Sequence, residues 1–178
     1  MHEKTIKMKT KTRSLFREVV GIVYFNFEED FVERNIRCIP MIVRFKMDRA
    51  GIKLKLAEWS KFSTGERIDL AMKPCNDESE AKEYHEYLSW LIKRHTDEQA
   101  TILSIDQRPG WAKANSLPVE LQEKLNKFNW YISLVQWNRL TDLQRFALVK
   151  LCRPGHESKN FPKAMREFGL LPSKRFSI

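Results

Sequence analysis

Cysteine, glycine and proline are scarce in this chain of 178 residues, which contains 3, 6 and 7 of them respectively. Three widely spaced cysteines do not make a disulfide framework, and a reducing compartment is the default for such a chain. So few turn-forming residues argue against a many-stranded β-sandwich. Lys, Leu, Glu and Arg, which favour helices, are abundant instead. The composition therefore predicts a mainly α protein located in the cytoplasm.

Long apolar runs and cofactor motifs are also missing. The stretch 15–25 (LFREVVGIVYF) is interrupted by Arg17 and Glu18, and a membrane span needs about 20 apolar residues. A basic start before an apolar run is typical of a signal peptide, but no small-residue cleavage site follows, so we do not expect export. The sequence has neither a glycine-rich nucleotide loop nor the Cys and His spacing of a metal site. We predict no membrane partner, no cofactor and no metal.

The net charge of +9 lies mainly at the two ends of the chain. Residues 1–14 and residues 153–178 each carry +4, which leaves about +1 for the residues between them. A duplex-binding domain normally concentrates its basic residues on one structured face. Two interpretations remain open: solvated ends that aid solubility, or docking to an acidic partner or nucleic acid. A basic nucleic-acid-binding regulator is therefore the alternative function.

A weak internal repeat organises the chain. Shifted by 78 positions, residues 40–70 align with residues 118–148 without a gap. Six of the 31 positions are identical, against roughly two expected by chance. The identical pairs are Pro40/Pro118, Lys46/Lys124, Leu56/Leu134, Trp59/Trp137, Arg67/Arg145 and Leu70/Leu148.

Each repeat predicts a helix–extended–helix unit. The first helix has proline in its first turn and ends at Gly51 or Asn129, residue types that tolerate a left-handed conformation. An extended stretch and a turn carrying Trp59 or Trp137 follow. A second helix then starts with a capping box, at residues 63–66 or 141–144. We expect the two units to pack face to face, with both tryptophans in the core of a single-domain helical bundle.

Three further segments complete the prediction. Residues 78–95 have an apolar face at helical spacing, an acidic start and a basic end, so they predict a third long helix. Residues 96–117 are expected to form a long ordered loop anchored by Trp111. Residues 161–168 predict a last short helix that ends at Gly169.

The densest polar cluster is the stretch 153–160 (RPGHESKN), directly after a predicted helix. One interpretation is a recognition loop formed by Arg153, His156, Glu157 and Asn160. The other is a structural corner, in which Arg153 caps helix carbonyls and Asn160 starts the last helix. A hydrolytic site needs a nucleophile with an oriented base, and Ser158 beside His156 is too little for one. We therefore predict no catalytic residue.

Cys38 is the most interesting of the three thiols. It precedes Ile39 and Pro40, and the matching position in the other repeat is Ser116, a common N-cap residue. A thiol at a helix N-terminus is stabilised as thiolate by the helix dipole. Cys38 is thus either a thiol contact for a partner or a small capping or packing residue.

Several strings in the chain are recognisable as motifs. They are FEEDF at 27–31, RCIPM at 37–41, VRFK at 43–46, GIKL at 51–54, LT at 140–141, LQRFAL at 143–148, RP at 153–154, HE at 156–157 and KNF at 159–161. In order and spacing these strings resemble the nitrate-reductase-associated protein family over residues 25–170. The resemblance leaves residues 1–24 as a basic N-terminal extension and residues 171–178 as a C-terminal tail.

The resemblance implies a non-catalytic accessory protein that the assimilatory nitrate reductase, a molybdoenzyme, needs in order to become active. Insertion of the molybdenum cofactor, insertion of an iron–sulfur cluster and stabilisation of the apoenzyme are all admissible steps. The family offers no established catalytic or cofactor-binding residues to transfer. We predict a maturation factor that binds apo nitrate reductase through Arg153, His156, Glu157 and Asn160, with Cys38 as a thiol contact. The alternative is a nucleic-acid-binding regulator of nitrogen assimilation.

Overall fold

The computed structural model describes residues 19–28 and 38–171. These residues are mainly helical, which confirms the predicted fold class, and they contain one two-stranded antiparallel sheet. In chain order the elements are α1 (Met41–Ala50), β1 (Ile52–Lys53), α2 (Leu56–Lys61), α3 (Thr64–Met72), α4 (Glu78–Thr96), β2 (Thr101–Ile102), α5 (Val119–Lys127), α6 (Leu134–Arg139), α7 (Asp142–Cys152) and α8 (Phe161–Glu167), with 3-10 turns at Gly110–Ala112 and His156–Asn160.

Helix α1 ends at Gly51, as its sequence predicts. Gly51 has a φ of 64°, and its N–H donates a hydrogen bond to the Met47 carbonyl oxygen. A Cβ atom at this position would lie 2.8 Å from Ile105 Cγ1 and 3.0 Å from the Leu103 carbonyl oxygen. Both the left-handed backbone and the close approach of residues 103–105 therefore require glycine here.

Helices occur at matching positions in the two aligned segments. Helices α5, α6 and α7 begin 78 residues after α1, α2 and α3 respectively. The residue that precedes the extended stretch in each segment, Gly51 or Asn129, has a positive φ. The prolines occupy the N-cap positions of α1 and α5, one residue before the predicted first turn. That the two segments are copies of one unit stays a prediction.

The two aligned tryptophans lie in helices, so their placement in turns was wrong. Trp59 is in α2 and Trp137 is in α6, because a side chain in the first turn of each segment accepts the N-cap N–H: Glu58 accepts from Lys55, and Gln136 accepts from Ser133. In α6, Ser133 accepts a hydrogen bond from the Gln136 N–H, and the Ser133 N–H donates to the Gln136 side chain at 2.9 Å. Both tryptophans are buried, as predicted.

The interior consists of two apolar clusters that share α1. The first contains Trp59 and the buried face of α4, and the second contains Trp137, much of α7 and the buried face of α8. Val43 of α1 belongs to the first cluster, Met41 belongs to the second, and Ile42 packs against both. The expected single core around both tryptophans is thus divided into two clusters, because α1 lies between them and contributes side chains to each.

The long loop after α4 is anchored as predicted, but it also contains a strand. Trp111 packs against Phe45 and Phe146, with ring centroids 5.3 Å and 6.2 Å away. Strand β2 pairs antiparallel with β1, so Ile52 lies opposite Ile102 and Lys53 lies opposite Thr101. A strand of two residues has too little periodicity to be predicted from sequence. In the described ranges, no helix is long and apolar enough to cross a bilayer.

Candidate functional site

Arg153 marks the end of α7 and the edge of an open cleft. Its backbone N–H donates to the Lys150 carbonyl oxygen at 3.3 Å, and its side chain is exposed. The cleft measures about 930 Å³ and lies between the end of α1, the first half of α4, the loop 103–112 and helix α7. One of the predicted site residues therefore lines the cleft.

An ion pair joins α1 to α7 beside Arg153. The Lys150 ammonium donates to Asp48 Oδ2 at 2.7 Å, although the two residues are 102 positions apart. Burial lowers the pKa of Lys150, the bond to Asp48 opposes that shift, and repulsion from Arg153 and Arg44 adds to it. Cationic side chains are thus concentrated around one carboxylate at this end of the cleft.

The wall of the cleft formed by α1 and α4 is held by hydrogen bonds to backbone carbonyls. His85 Nδ1 lies 2.8 Å from the Ala50 carbonyl oxygen, so this nitrogen carries the proton and donates it. In the neutral imidazole, Nε2 is then left as an acceptor. The Arg49 guanidinium donates to the Asn76 carbonyl oxygen. These bonds orient two basic side chains that line the cleft.

Charges of both signs line the cleft, so it has no uniform potential. A surface of this kind recognises a polar protein segment through salt bridges and hydrogen bonds better than it recognises one small anion. The basic lining residues are Arg49, Lys82, His85, Lys150 and Arg153, and the acidic ones are Asp48, Asp77, Glu78, Asp106 and Asp142.

Asn160 lies in a different environment from Arg153. It is buried, and its Oδ1 atom has no hydrogen-bond partner among the described residues. Helix α8 starts directly after Asn160, but the Asn160 backbone is already helical and its side chain makes no capping bond. In the part of the chain that the structure describes, the Arg153 side chain makes no bond to helix carbonyls either. The last helix thus starts at Asn160, as the structural-corner interpretation predicts, but neither Asn160 nor Arg153 caps a helix through its side chain.

The other two members of the predicted cluster, His156 and Glu157, belong to the 3-10 turn His156–Asn160. Their side chains lie outside the described part of the structure. The described geometry thus places Arg153 on the cleft and buries Asn160. The partner-binding role of the four residues stays a prediction.

The carboxylate of Glu28 caps the helix that follows Cys38. Cys38 is buried and lies two positions before the N-cap residue, Pro40. The first free N–H of α1, that of Met41, donates instead to Glu28 Oε1 at 2.7 Å. A carboxylate therefore occupies the position that the sequence assigned to the thiol. The role of Cys38 as a thiol contact for a partner stays a prediction.

The remaining thiols have structural surroundings. Burial raises the pKa of Cys75, whose thiol lies 3.6 Å from the Lys46 carbonyl oxygen. Burial also raises the pKa of Cys152 to about 12, and this thiol donates to the Leu148 carbonyl oxygen at 3.1 Å. Both are therefore thiols, not thiolates, at neutral pH.

Two glutamates that the sequence analysis did not single out hold the segment 19–28 on the helical body. Glu28 is buried, and its second carboxylate oxygen accepts from the Phe25 N–H at 3.1 Å. Glu167, at the end of α8, accepts from the N–H groups of Asn26 and Phe27 at 2.8 Å and 2.9 Å. The partners of Glu167 are about 140 positions away in the chain, so no local pattern could reveal them.

The family model for conserved nitrate reductase-associated proteins matches residues 24–168, which is most of the chain. Neither a curated protein nor a solved structure gives a significant match. The match covers both aligned segments, the cleft and all buried residues of the two apolar clusters except Leu170. The predicted domain boundaries, after residues 24 and 170, stay predictions. The chain belongs to the family of conserved nitrate reductase-associated proteins.

Proposed function

We propose that this protein is a non-catalytic accessory factor that binds the apo form of the assimilatory nitrate reductase in the cytoplasm and assists its activation. The observation that carries the proposal is the family match over residues 24–168, because the family is named for its association with nitrate reductase. The nucleic-acid alternative remains a prediction from the charge distribution alone.

The cleft beside Arg153 is the surface that we assign to this partner. Its lining of both charge signs supports recognition of a polar protein segment. The Asp48–Lys150 ion pair connects α1 to α7 at this cleft and keeps the Lys150 ammonium in place. Arg153 is exposed at the edge, and an exposed guanidinium readily forms a two-pronged salt bridge with a carboxylate.

Complementation of a deletion strain tests the proposal. Without the gene, nitrate reductase activity should be lost, and the wild-type gene should restore it. Arg153→Ala should restore about one tenth of the activity or less, since Arg153 would become buried against the partner and losing such an interfacial salt bridge costs about a factor of ten or more in affinity. His156→Ala should behave alike. Arg139→Ala, which changes an exposed arginine at the end of α6, is the control and should restore full activity. Circular dichroism must show that all variants are folded.

The same strains identify the step that is assisted. Reductase purified from the deletion strain should lack molybdenum if cofactor insertion is assisted, or iron if cluster insertion is assisted. A lowered amount of reductase polypeptide would instead indicate stabilisation of the apoenzyme. Full activity in the deletion strain would contradict the proposed function. Full activity with both Arg153→Ala and His156→Ala would remove the predicted cluster from the account.

A further inference from the structure

The two aligned segments differ in what covers their extended stretches. In the first segment, β2 pairs antiparallel with β1, and the Leu103 N–H donates to the Gly51 carbonyl oxygen at 2.8 Å. Hydrogen-bonded positions alternate along an antiparallel pair. The backbone groups of Gly51 and Lys53 therefore face β2. At a spacing of 78 residues, the corresponding positions in the second segment are Asn129 and Tyr131.

The backbone around Tyr131 has no such strand beside it. Within residues 19–28 and 38–171, no hydrogen bond joins the Tyr131 amide or its carbonyl group to another residue. The side chain of Tyr131 is 82% exposed, and the neighbouring Leu134 and Val135 at the start of α6 are 43% and 61% exposed. We call these three residues the Tyr131 edge. It combines unpaired backbone groups with exposed apolar side chains, as unprotected strand edges do.

The Tyr131 edge is held in position by its neighbours. Trp130 stacks on Phe128 and Phe161, with ring centroids 4.5 Å and 6.3 Å away, and Ile132 is buried in the second apolar cluster. A partly buried Trp130 and a buried Ile132 on either side of the exposed Tyr131 follow the alternation of a strand. The backbone at Tyr131 is therefore already ordered, so pairing with a strand would cost little conformational entropy on this side, which favours binding.

We propose that an extended segment of apo nitrate reductase, carrying β-branched or other apolar residues, binds as an antiparallel strand at the Tyr131 edge. This inference rests on the proposed function and adds a second contact to the cleft. The chemistry of the occupant follows from the first segment, where Thr101 and Ile102 fill the matching position. The incoming side chains would contact Leu134 and Val135.

Asn129 restricts the path that a strand can take along this edge. It carries a side chain where Gly51 has none, and a Cβ at Gly51 would collide with Ile105 and Leu103. A segment following the path of residues 103–105 would therefore be excluded near Asn129, and the incoming strand would be held at Tyr131. Strand addition needs a partner segment whose backbone is unpaired, so it would distinguish an apo reductase that exposes such a segment from a mature one that has paired it.

Hydrogen exchange with cofactor-free nitrate reductase as the probe tests the inference. Mixing the two proteins should slow exchange of the Tyr131 amide by about tenfold or more, because that amide gains a partner. The Lys53 amide is already paired with β2 and serves as the internal control, with an unchanged rate. The mature reductase should leave both amides unchanged.

A variant pair measures the same contact without exchange data. Tyr131→Lys places a charge on the edge, as the first segment has at Lys53, and should weaken binding of apo reductase by about tenfold or more. Trp90→Lys is the matched control. Trp90 is an aromatic residue of α4 that is 51% exposed, and replacing it should leave binding unchanged.

Each other outcome overturns the inference in a recognisable way. Binding of apo reductase with an unprotected Tyr131 amide removes the Tyr131 edge but leaves the proposed function. Protection of the Ile102 amide instead would move docking to the outer side of β2. Protection in the protein alone would assign the edge to a second copy if it depends on concentration, and to this chain's own residues if it does not. Absence of any binding by the wild-type protein overturns both the inference and the proposed function.

Discussion

At the scale of single residues, the buried charges among the described residues have partners in the backbone or in neighbouring side chains. Lys46 is buried, and its ammonium donates to the Ala71 carbonyl oxygen. Glu66 is only partly buried; desolvation opposes its ionisation, but bonds from His95 and Ser63 outweigh that effect and hold the pKa of Glu66 at about 2. Since an unpaired buried charge is very costly, these bonds explain why the helices tolerate charges inside.

Lys46 gives a prediction with a defined pH window. Burial lowers its pKa from 10.5 to about 8, against the opposing fields of Cys75 and Glu80. Between pH 8 and 10.5 the unfolded chain therefore binds more protons at this site than the folded protein does, so the site makes folding more favourable as pH rises. In Lys46→Met this contribution is absent. The free energy of unfolding of the variant relative to wild type should fall by at most about 3 kcal/mol across that window.

Urea unfolding at pH 7 and at pH 10.5 measures this difference. Lys124→Met is the matched control, because Lys124 occupies the aligned position and is only partly buried. Its relative stability should change less over the same window. Equal changes in the two variants would show that burial of Lys46 does not govern its protonation.

At the scale of elements, the sequence predicts helix ends better than it predicts short extended pieces. The capping boxes at Ser63 and Thr141 are confirmed, as are the left-handed positions at Gly51 and Asn129, because such signals act within a few residues. Trp59 was misplaced in a turn, since a helix of six residues has too few positions for a period to show.

Glycine substitutions in the first unit separate the two reasons for having glycine. Gly51→Ala forces a side chain into a left-handed conformation and against Ile105, and it should lower the free energy of unfolding by about 1–3 kcal/mol. Gly65, near the start of α3, has no atom within 4 Å of an added Cβ. Gly65→Ala should therefore raise the free energy of unfolding by about 0.5–1 kcal/mol.

Thermal unfolding monitored by circular dichroism checks the pair. The expected shifts have opposite signs, and about 1 kcal/mol corresponds to 2–4 °C in a chain of this length. A Gly51→Ala variant with an unchanged free energy of unfolding would mean that residues 103–105 do not pack as closely against Gly51 as described.

At the scale of the whole molecule, contacts between distant residues decide what the sequence could not predict. The Asp48–Lys150 pair and the Glu167 contacts join residues more than 100 positions apart, so the cleft and the docking of the segment 19–28 had no local signature. The polar stretch after α7 was found because its composition is visible in the chain. Which residues of this stretch are exposed, as Arg153 is, and which are buried, as Asn160 is, depends on tertiary packing that the local sequence does not encode.

The described residues offer two separate surfaces, the mixed-charge cleft and the Tyr131 edge. The cleft would recognise polar side chains of the partner, and the edge would recognise backbone that is not yet paired. Two weak contacts on one protein add in free energy when the partner can reach both, and the proposed second contact would require partner backbone that is still unpaired.

Size-exclusion chromatography of the purified protein with nitrate reductase tests the central claim most directly. The full chain is mixed in turn with the cofactor-free enzyme and with the mature enzyme, and co-elution is scored at physiological salt. The account predicts that the protein co-elutes with the cofactor-free form and elutes separately from the mature form. Separate elution from both forms, or equal co-elution with both, would contradict it.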